Sequence, residues 1–413
     1  MPILQRPRGT RDFLPDEMEP RRAIEDVMRE TAGLWGYREV GTPVFEEAEL
    51  FTIRSGQGIL NEMYVFEDKG GRALALRPEI TAAVQRMFVN EAKVLPRPLR
   101  WFYFSDCFRY ERPQKGRYRQ FWQFGAELIG AGTPRGDAEV IMLADAIIRS
   151  AGLSYTLEIG NLSFVRSLIK SQTHEIRHKI MGFLDKRDEK QLIDFLRSEG
   201  LIDLYDSLNH LIKATQLDEI FQVTGDIPEK DDIKSFFSLL DASGIEYTLN
   251  PGIARGLDYY TGMVFEGFAE GLGTENQILG GGAYRLAHLF GGEDTASCGF
   301  AIGFDRVIVA LGLTNTRKGP VVAILLTPDG ENKAFIVANE LRAAGFIVEI
   351  DLYSRGLGAQ MTHASKGADY AVIIGKNEIL QNKVTLKDLK TKEQSLCSIE
   401  DAIIRMKSFD NRG

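Results

Sequence analysis

Ile24, Val27, Met28, Thr31 and Leu34 recur at helical spacing, which predicts an amphipathic helix over 17–36 with Gly36 at its stop. Tyr37 to Val44 then reads as a strand interrupted by Gly41 and Pro43. Residues 72–76 form a short strand running into Arg77-Pro78-Glu79, and 80–90 a helix. Trp101 to Tyr110 is a strand rich in aromatics, and Gln120 to Ile129 is a second. The turn-rich Arg112-Pro113-Gln114-Lys115-Gly116-Arg117 between them makes a long antiparallel hairpin with a basic loop. Pro134 to Ala151 reads as a helix closed by Gly152.

The character changes near residue 164. Phe164 to Leu240 is helical and strongly charged, which predicts a helical insertion over 165–245. Gly-rich, strand-like sequence returns from Tyr247 to Phe304, and Gly303 to Leu313 reads as a helix. Residues 314–319 have linker composition. Beyond them come an apolar strand (Val321 to Leu326), a helix (Glu331 to Ala344), a strand (Phe346 to Asp351), a helix (355–366) and a buried strand (Tyr370 to Ile374). That alternation predicts a parallel or mixed sheet covered by helices, a separate α/β domain over 319–413. Residues 1–164 and 246–313 are left as the main domain.

With 413 residues, two to four domains are expected. The chain carries a net charge of -8, so contact with nucleic acid must use local basic patches. Cys107, Cys298 and Cys397 lie far apart and odd in number, which predicts free thiols in a reducing cytoplasm. His174 and His178 are four apart without a companion ligand, so they read as surface residues and no metal site is expected. No stretch is apolar enough to span a membrane, and Met1 to Asp16 lacks the apolar core of a signal peptide.

The hairpin carries chemistry on one side. Alternation puts Gln123, Gly125 and Glu127 on one face, and Trp122, Phe124, Ala126 and Leu128 on the other. Tyr103, Ser105, Cys107 and Arg109 share a face of the first strand. An Arg beside Gln and Glu suits a ligand with anionic and cationic groups; a half-solvated sheet is the plainer alternative. Gly125 marks a place of close approach. The loop cations Arg112, Lys115, Arg117 and Arg119 can clamp phosphate or simply form a solvated turn. Arg255 to Gly262 sets a cation, an acid and two tyrosines between glycines. Gly299 to Arg306 runs from strand into helix, with Arg306 in the first turn, where the helix dipole also favours an anion.

In this order the stretches resemble the class II aminoacyl-tRNA synthetases. Thr42 to Glu46 is similar to the first class motif, Phe108 to Glu127 to the second, and Gly299 to Arg306 to the third. Arg8-Gly9-Thr10-Arg11-Asp12, Leu76-Arg77-Pro78-Glu79, Arg112 to Arg119 and Arg255 to Gly262 resemble the histidyl-tRNA synthetase family in particular. The resemblance implies an α+β catalytic domain with an antiparallel sheet, a homodimer, and a C-terminal α/β anticodon-binding domain. It implies ATP, histidine and tRNA(His) as substrates, with Mg²⁺ on the phosphates. It also implies roles. Glu79 and Thr81, with Ile80 between them, would hold the histidine amino end, Gln123 its polar groups and Glu127 the imidazole. Tyr259, Tyr260 and Tyr284 would line the pocket. Arg109 and Arg255 would meet the carboxylate and the α-phosphate, Arg306 the γ-phosphate end, and Glu111 and Arg117 would complete the ATP site. The catalytic set is thus Arg109, Arg255 and Arg306.

The sequence departs from the family pattern in places. Ala283 and Arg285 stand where relatives have Arg and Asp, Asp305 where they have Glu, and Ile80 where many have Gly. The alternatives are the synthetase-like regulatory subunit of ATP phosphoribosyltransferase, a binding protein, and another class II synthetase. The Arg255 stretch and the C-terminal domain argue against the first, and the Arg255 stretch against the second.

Overall fold

The structure is a computed structural model that describes residues 3–55, 57–112, 116–253, 260–273, 276–313 and 320–410. It divides into two compact units, Met1–Asn315 and Thr316–Gly413.

The first unit is built on an eight-stranded sheet among the described residues. Its strands are β1 (Arg38–Glu39), β5 (Leu99–Phe108), β6 (Gln120–Ile129), β7 (Thr156–Asn161), β8 (Thr248–Leu249), β9 (Tyr260–Phe268), β10 (Gln277–Tyr284) and β11 (Ser297–Gly303). Their order is β1-β5-β6-β11-β10-β9-β7-β8. The β1–β5 and β7–β8 pairs are parallel and the others antiparallel. A small antiparallel sheet, β2-β4-β3, combines Phe45–Glu47 (β2), Tyr64–Glu67 (β3) and Ala73–Leu76 (β4). Of the strand expected over Tyr37 to Val44 only Arg38–Glu39 is strand; the chain resumes as β2 at Phe45, in the other sheet. Gly41 and Pro43 lie in the break, where Pro removes a ladder donor.

The alternation read along the hairpin decides what each sheet face meets. Phe102, Phe124, Ala126 and Leu128 are buried beneath Met28 of the Pro15–Leu34 helix and Val140, Ile141 and Ala144 of the Pro134–Ser150 helix. That second helix starts cleanly because Thr133 caps it, accepting from the Gly136 N–H at 3.2 Å, and Pro134 fits its first turn. The opposite face carries Tyr103 and Cys107 against Ile80, Val84 and Phe88. Ile80 precedes and Val84 lies within the Thr81–Met87 helix, which runs on into a π-helical turn, Phe88–Ala92.

Helices from Leu162–Ile169 to Lys230–Ala242 fill the charged segment. The first leaves β7 directly, and Leu162, Phe164 and Val165 share the apolar core of the central sheet. In the second unit, β12 (Val321–Leu326) lies parallel between β13 (Ile347–Ile350) and β14 (Tyr370–Ile374). Antiparallel β15 (Val384–Asp388) and β16 (Gln394–Cys397) complete a mixed sheet. Val322 and Ile324 face the Glu331–Ala343 helix through Val337 and Leu341, while Ala323 and Leu325 face Ala364.

Candidate active site

The site is assembled on the polar face of β6, β11, β10 and β9. Register puts Glu127 beside Gly299, Gly299 beside Gly282, and Tyr284 beside Tyr260. The glycines are where neighbouring side chains lie flat on the sheet. A Cβ on Gly299 would stand 1.8 Å from Glu127 Oε2, and one on Gly282 would stand 2.9 Å from the Tyr260 ring. A Cβ on Gly125 would stand 2.3 Å from the Tyr103 ring. So the close approach read from Gly125 is made by the protein's own Tyr103.

Glu127 is the centre of the buried end, 1% exposed. Thr81 Oγ1 donates to its Oε1 at 2.8 Å, Tyr103 to the same oxygen at 3.5 Å, and Tyr284 to Oε2 at 2.5 Å. Burial, and next the nearby Glu127 carboxylate, push the Tyr103 and Tyr284 phenols well above their usual range. Both therefore remain donors at neutral pH, so Glu127 acts as an acceptor. Burial pushes the Cys107 thiol up to about 12 and the Cys298 thiol well above its usual value, so neither is a thiolate nucleophile at neutral pH.

The open end is a cleft of about 120 Å³. Arg109, Arg117, Arg306, Glu111 and Gln123 line it. Arg109 Nε donates to the Pro78 carbonyl at 2.9 Å, which ties the hairpin to the Arg77-Pro78-Glu79 turn. Arg117 lies 3.3 Å from Glu111, and Arg109 lies 4.0 Å from it. Arg306 donates to the Gln277 carbonyl of β10. Three half-buried guanidiniums in one cleft make a fixed cationic field, suited to a polyphosphate.

The remaining expected residues fall around these two ends. Glu79 accepts from the Ala82 N–H at 3.2 Å, at the start of the helix that carries Thr81. The Ile80 side chain is 1% exposed and packed in the core, so only its backbone is available to a ligand. Tyr260 begins β9, and Arg166 holds its carbonyl at 2.8 Å and that of Thr261 at 3.1 Å. Arg255 and Tyr259, with Gly256, Asp258 and Lys115, lie outside the described residues.

Several supporting groups escaped the sequence reading. Arg21, from the first helix, forms a buried ion pair with Asp305 at 2.8 Å; the other Asp305 oxygen accepts from the Trp122 N–H at 2.7 Å. Asp305 thereby binds the first helix and β6 to the start of the Arg306 helix, which accounts for an acid there. Arg77 joins Asp106 at 2.9 Å and the Thr42 carbonyl at 2.9 Å. Gln85 reaches the Tyr284 hydroxyl. Gln85 left one trace in the sequence, a polar side chain four residues after Thr81 in an otherwise apolar turn. A larger cavity of about 480 Å³ lies between the insertion helices and β8, but none of the expected site residues reaches it.

Residues 9–307 match the family model described as Histidyl-tRNA synthetase. The chain belongs to that family. Residues 320–408 match the model described as Anticodon binding domain. The chain is 60% identical over 401 residues to the histidine–tRNA ligase of Methanosphaerula palustris, covering 97% of this chain and 98% of the relative. It is also 60% identical to that of Methanoregula boonei over 410 residues, with 99% and 100% covered. Among solved structures it resembles apo histidyl-tRNA synthetase of S. aureus, with a TM-score of 0.77 at 30% identity, covering 98% of this chain and all of the other.

Proposed function

We propose that this chain activates histidine with ATP, forming histidyl-adenylate and pyrophosphate, and then transfers histidine to the 3′ end of tRNA(His). One observation carries the amino-acid assignment: Glu127 is buried with hydroxyl donors on both its oxygens, at one end of a face whose other end is a cleft of guanidiniums. An acceptor carboxylate at the buried end takes an imidazole N–H. Glu79 and Thr81 receive the amino group, Gln123 the polar groups near the carboxylate, and Tyr259, Tyr260 and Tyr284 wall the pocket. A pocket built of polar groups rejects isosteres because they leave those groups unpaired.

In the first step the histidine carboxylate attacks the α-phosphorus and the bond to the β-phosphate bridge breaks. Two anions must meet, and fixed cations in a closed site lower that barrier without reorganising. In this reading Arg109 and Arg255 would neutralise the attacking carboxylate and the α-phosphate, Arg306 would serve the γ-phosphate end, and Arg117, beside Glu111, would serve the phosphates. Mg²⁺ would accompany ATP as its counter-ion. Glu111, which lines the same cleft, would hold that ion, and the ion would offset charge on the phosphates. In the second step the terminal ribose hydroxyl attacks the adenylate carbonyl and AMP leaves, with no protein nucleophile.

Residues 1–164 and 246–313 form the catalytic domain in this reading, 165–245 its insertion and 319–413 the anticodon-binding domain. The chain works as a homodimer. Phe45, Val65 and Phe66 of the small sheet are 52%, 45% and 42% exposed, an apolar surface suited to a partner copy. The cytoplasm is the compartment, a reading supported by three buried free thiols and by the lack, among the described residues, of any helix long and apolar enough to cross a membrane. ATP–pyrophosphate exchange across the twenty amino acids tests the function. Exchange with histidine alone is expected; exchange with proline or threonine instead would sink the assignment.

A further inference from the structure

Gln85 stands on the Thr81–Met87 helix, four residues after Thr81, so the two side chains leave the same helical face. It is wholly buried, at 0% exposure. Its Nε2 lies 2.9 Å from the Tyr284 hydroxyl oxygen, and that hydroxyl lies 2.5 Å from Glu127 Oε2. A phenol has one proton to give. That hydroxyl donates to Glu127 Oε2, which uses the proton, so the Tyr284 oxygen can only accept from Gln85. This fixes the amide with its NH₂ toward Tyr284. Its Oε1 then has no partner among the described residues. A buried, unpartnered amide oxygen is destabilising, and an apolar side chain of the same size would avoid that cost. The residue is therefore not explained by packing. Thr81 completes the arrangement by donating to the other Glu127 oxygen from the same helix.

We propose that Gln85 is a positioning residue for amino-acid recognition: it occupies the accepting side of the Tyr284 hydroxyl, compels that hydroxyl to donate to Glu127, and so holds the carboxylate as an oriented acceptor for a ring N–H. The proposal rests on the histidine reading of the site. It predicts a separation of effects that a structural role would not produce. Gln85 touches neither the cationic cleft nor the phosphates, so its loss acts on histidine binding and spares ATP.

Steady-state pyrophosphate exchange with the full chain, comparing Gln85→Leu, Tyr284→Phe and the double variant, tests this. Gln85→Leu should raise the histidine KM about tenfold, the worth of one hydrogen bond, with kcat and the ATP KM changed by less than about twofold. Its Tm should be unchanged or higher, since the unpartnered oxygen is gone. In the Tyr284→Phe background the same substitution should add nothing, because Gln85 acts through that hydroxyl. Gln85→Met gives the same reading should the Leu variant fail to fold. An equal loss in both backgrounds, an unchanged histidine KM, or a matching rise in the ATP KM would overturn the proposal. A wild-type chain with no histidine-dependent exchange would overturn the function reading itself.

Discussion

Glu127 shows how a single carboxylate acquires a role from its surroundings. Alternation along β6 placed it on the polar face with Gln123, and that much was legible from period two. Its burial was not, because the donors come from Thr81, Tyr103 and Tyr284, which are distant in sequence and meet through sheet register and the packing of the Thr81–Met87 helix. Replacing Glu127 with Gln turns an acceptor into a group with an NH₂ facing hydroxyl donors. We expect kcat/KM for histidine to fall about 100-fold or more, read by pyrophosphate exchange, with the effect mainly in KM. Arg306 lines the cleft at the other end. Arg306→Ala should lower kcat by about 10²–10³, with histidine binding retained in equilibrium titration. Full exchange activity in that variant would show that the cleft cations are misassigned.

At the scale of elements, β11 and the Pro134–Ser150 helix carry the clearest consequences. Gly299 is needed because Glu127 lies across it, and Ala126 O would also stand 2.7 Å from an added Cβ. Gly299→Ala should therefore destabilise the chain by about 1–3 kcal/mol and raise the histidine KM, measured by thermal melting and exchange together. Near the start of the Pro134–Ser150 helix, burial pushes the Asp137 carboxyl up to about 6. Between about pH 4 and 6 the folded chain keeps a proton that the unfolded chain has lost, so this group weakens folding as pH rises, fully so above the window. Asp137→Asn should gain stability relative to wild type by about 1 kcal/mol more at pH 7.5 than at pH 4, after allowance for partial exposure. Long periodic elements were readable from the chain: the hairpin strands, the Pro134–Ser150 helix and the β12–β14 core follow the expected spans closely. Short ones were not. β1 and β2 hold two and three residues, too few to show a period, and their separation into two sheets is a tertiary choice.

The whole molecule joins two compact units, each with its own core. The family resemblance read from Arg255 to Gly262 and from the hairpin loop matched the family comparison over residues 9–307. Physical pattern alone left those stretches as glycines, cations and tyrosines. What no pattern could supply was the support behind the site: the Arg21–Asp305 pair, the Arg166 hold on β9 and Gln85 behind Tyr284. Each joins residues 94 to 284 positions apart. The exposed small sheet makes a prediction at this scale. Phe45→Glu with Phe66→Glu should shift the chain from dimer to monomer in analytical ultracentrifugation, while a wild-type chain that sediments as a monomer would contradict the homodimer. The most direct test of the central claim is transfer of radiolabelled amino acid to tRNA by the full chain with ATP and Mg²⁺. The account predicts acid-precipitable label on tRNA with histidine and with none of the other nineteen amino acids. Pyrophosphate exchange without any label reaching tRNA, or charging with a different amino acid, would contradict it.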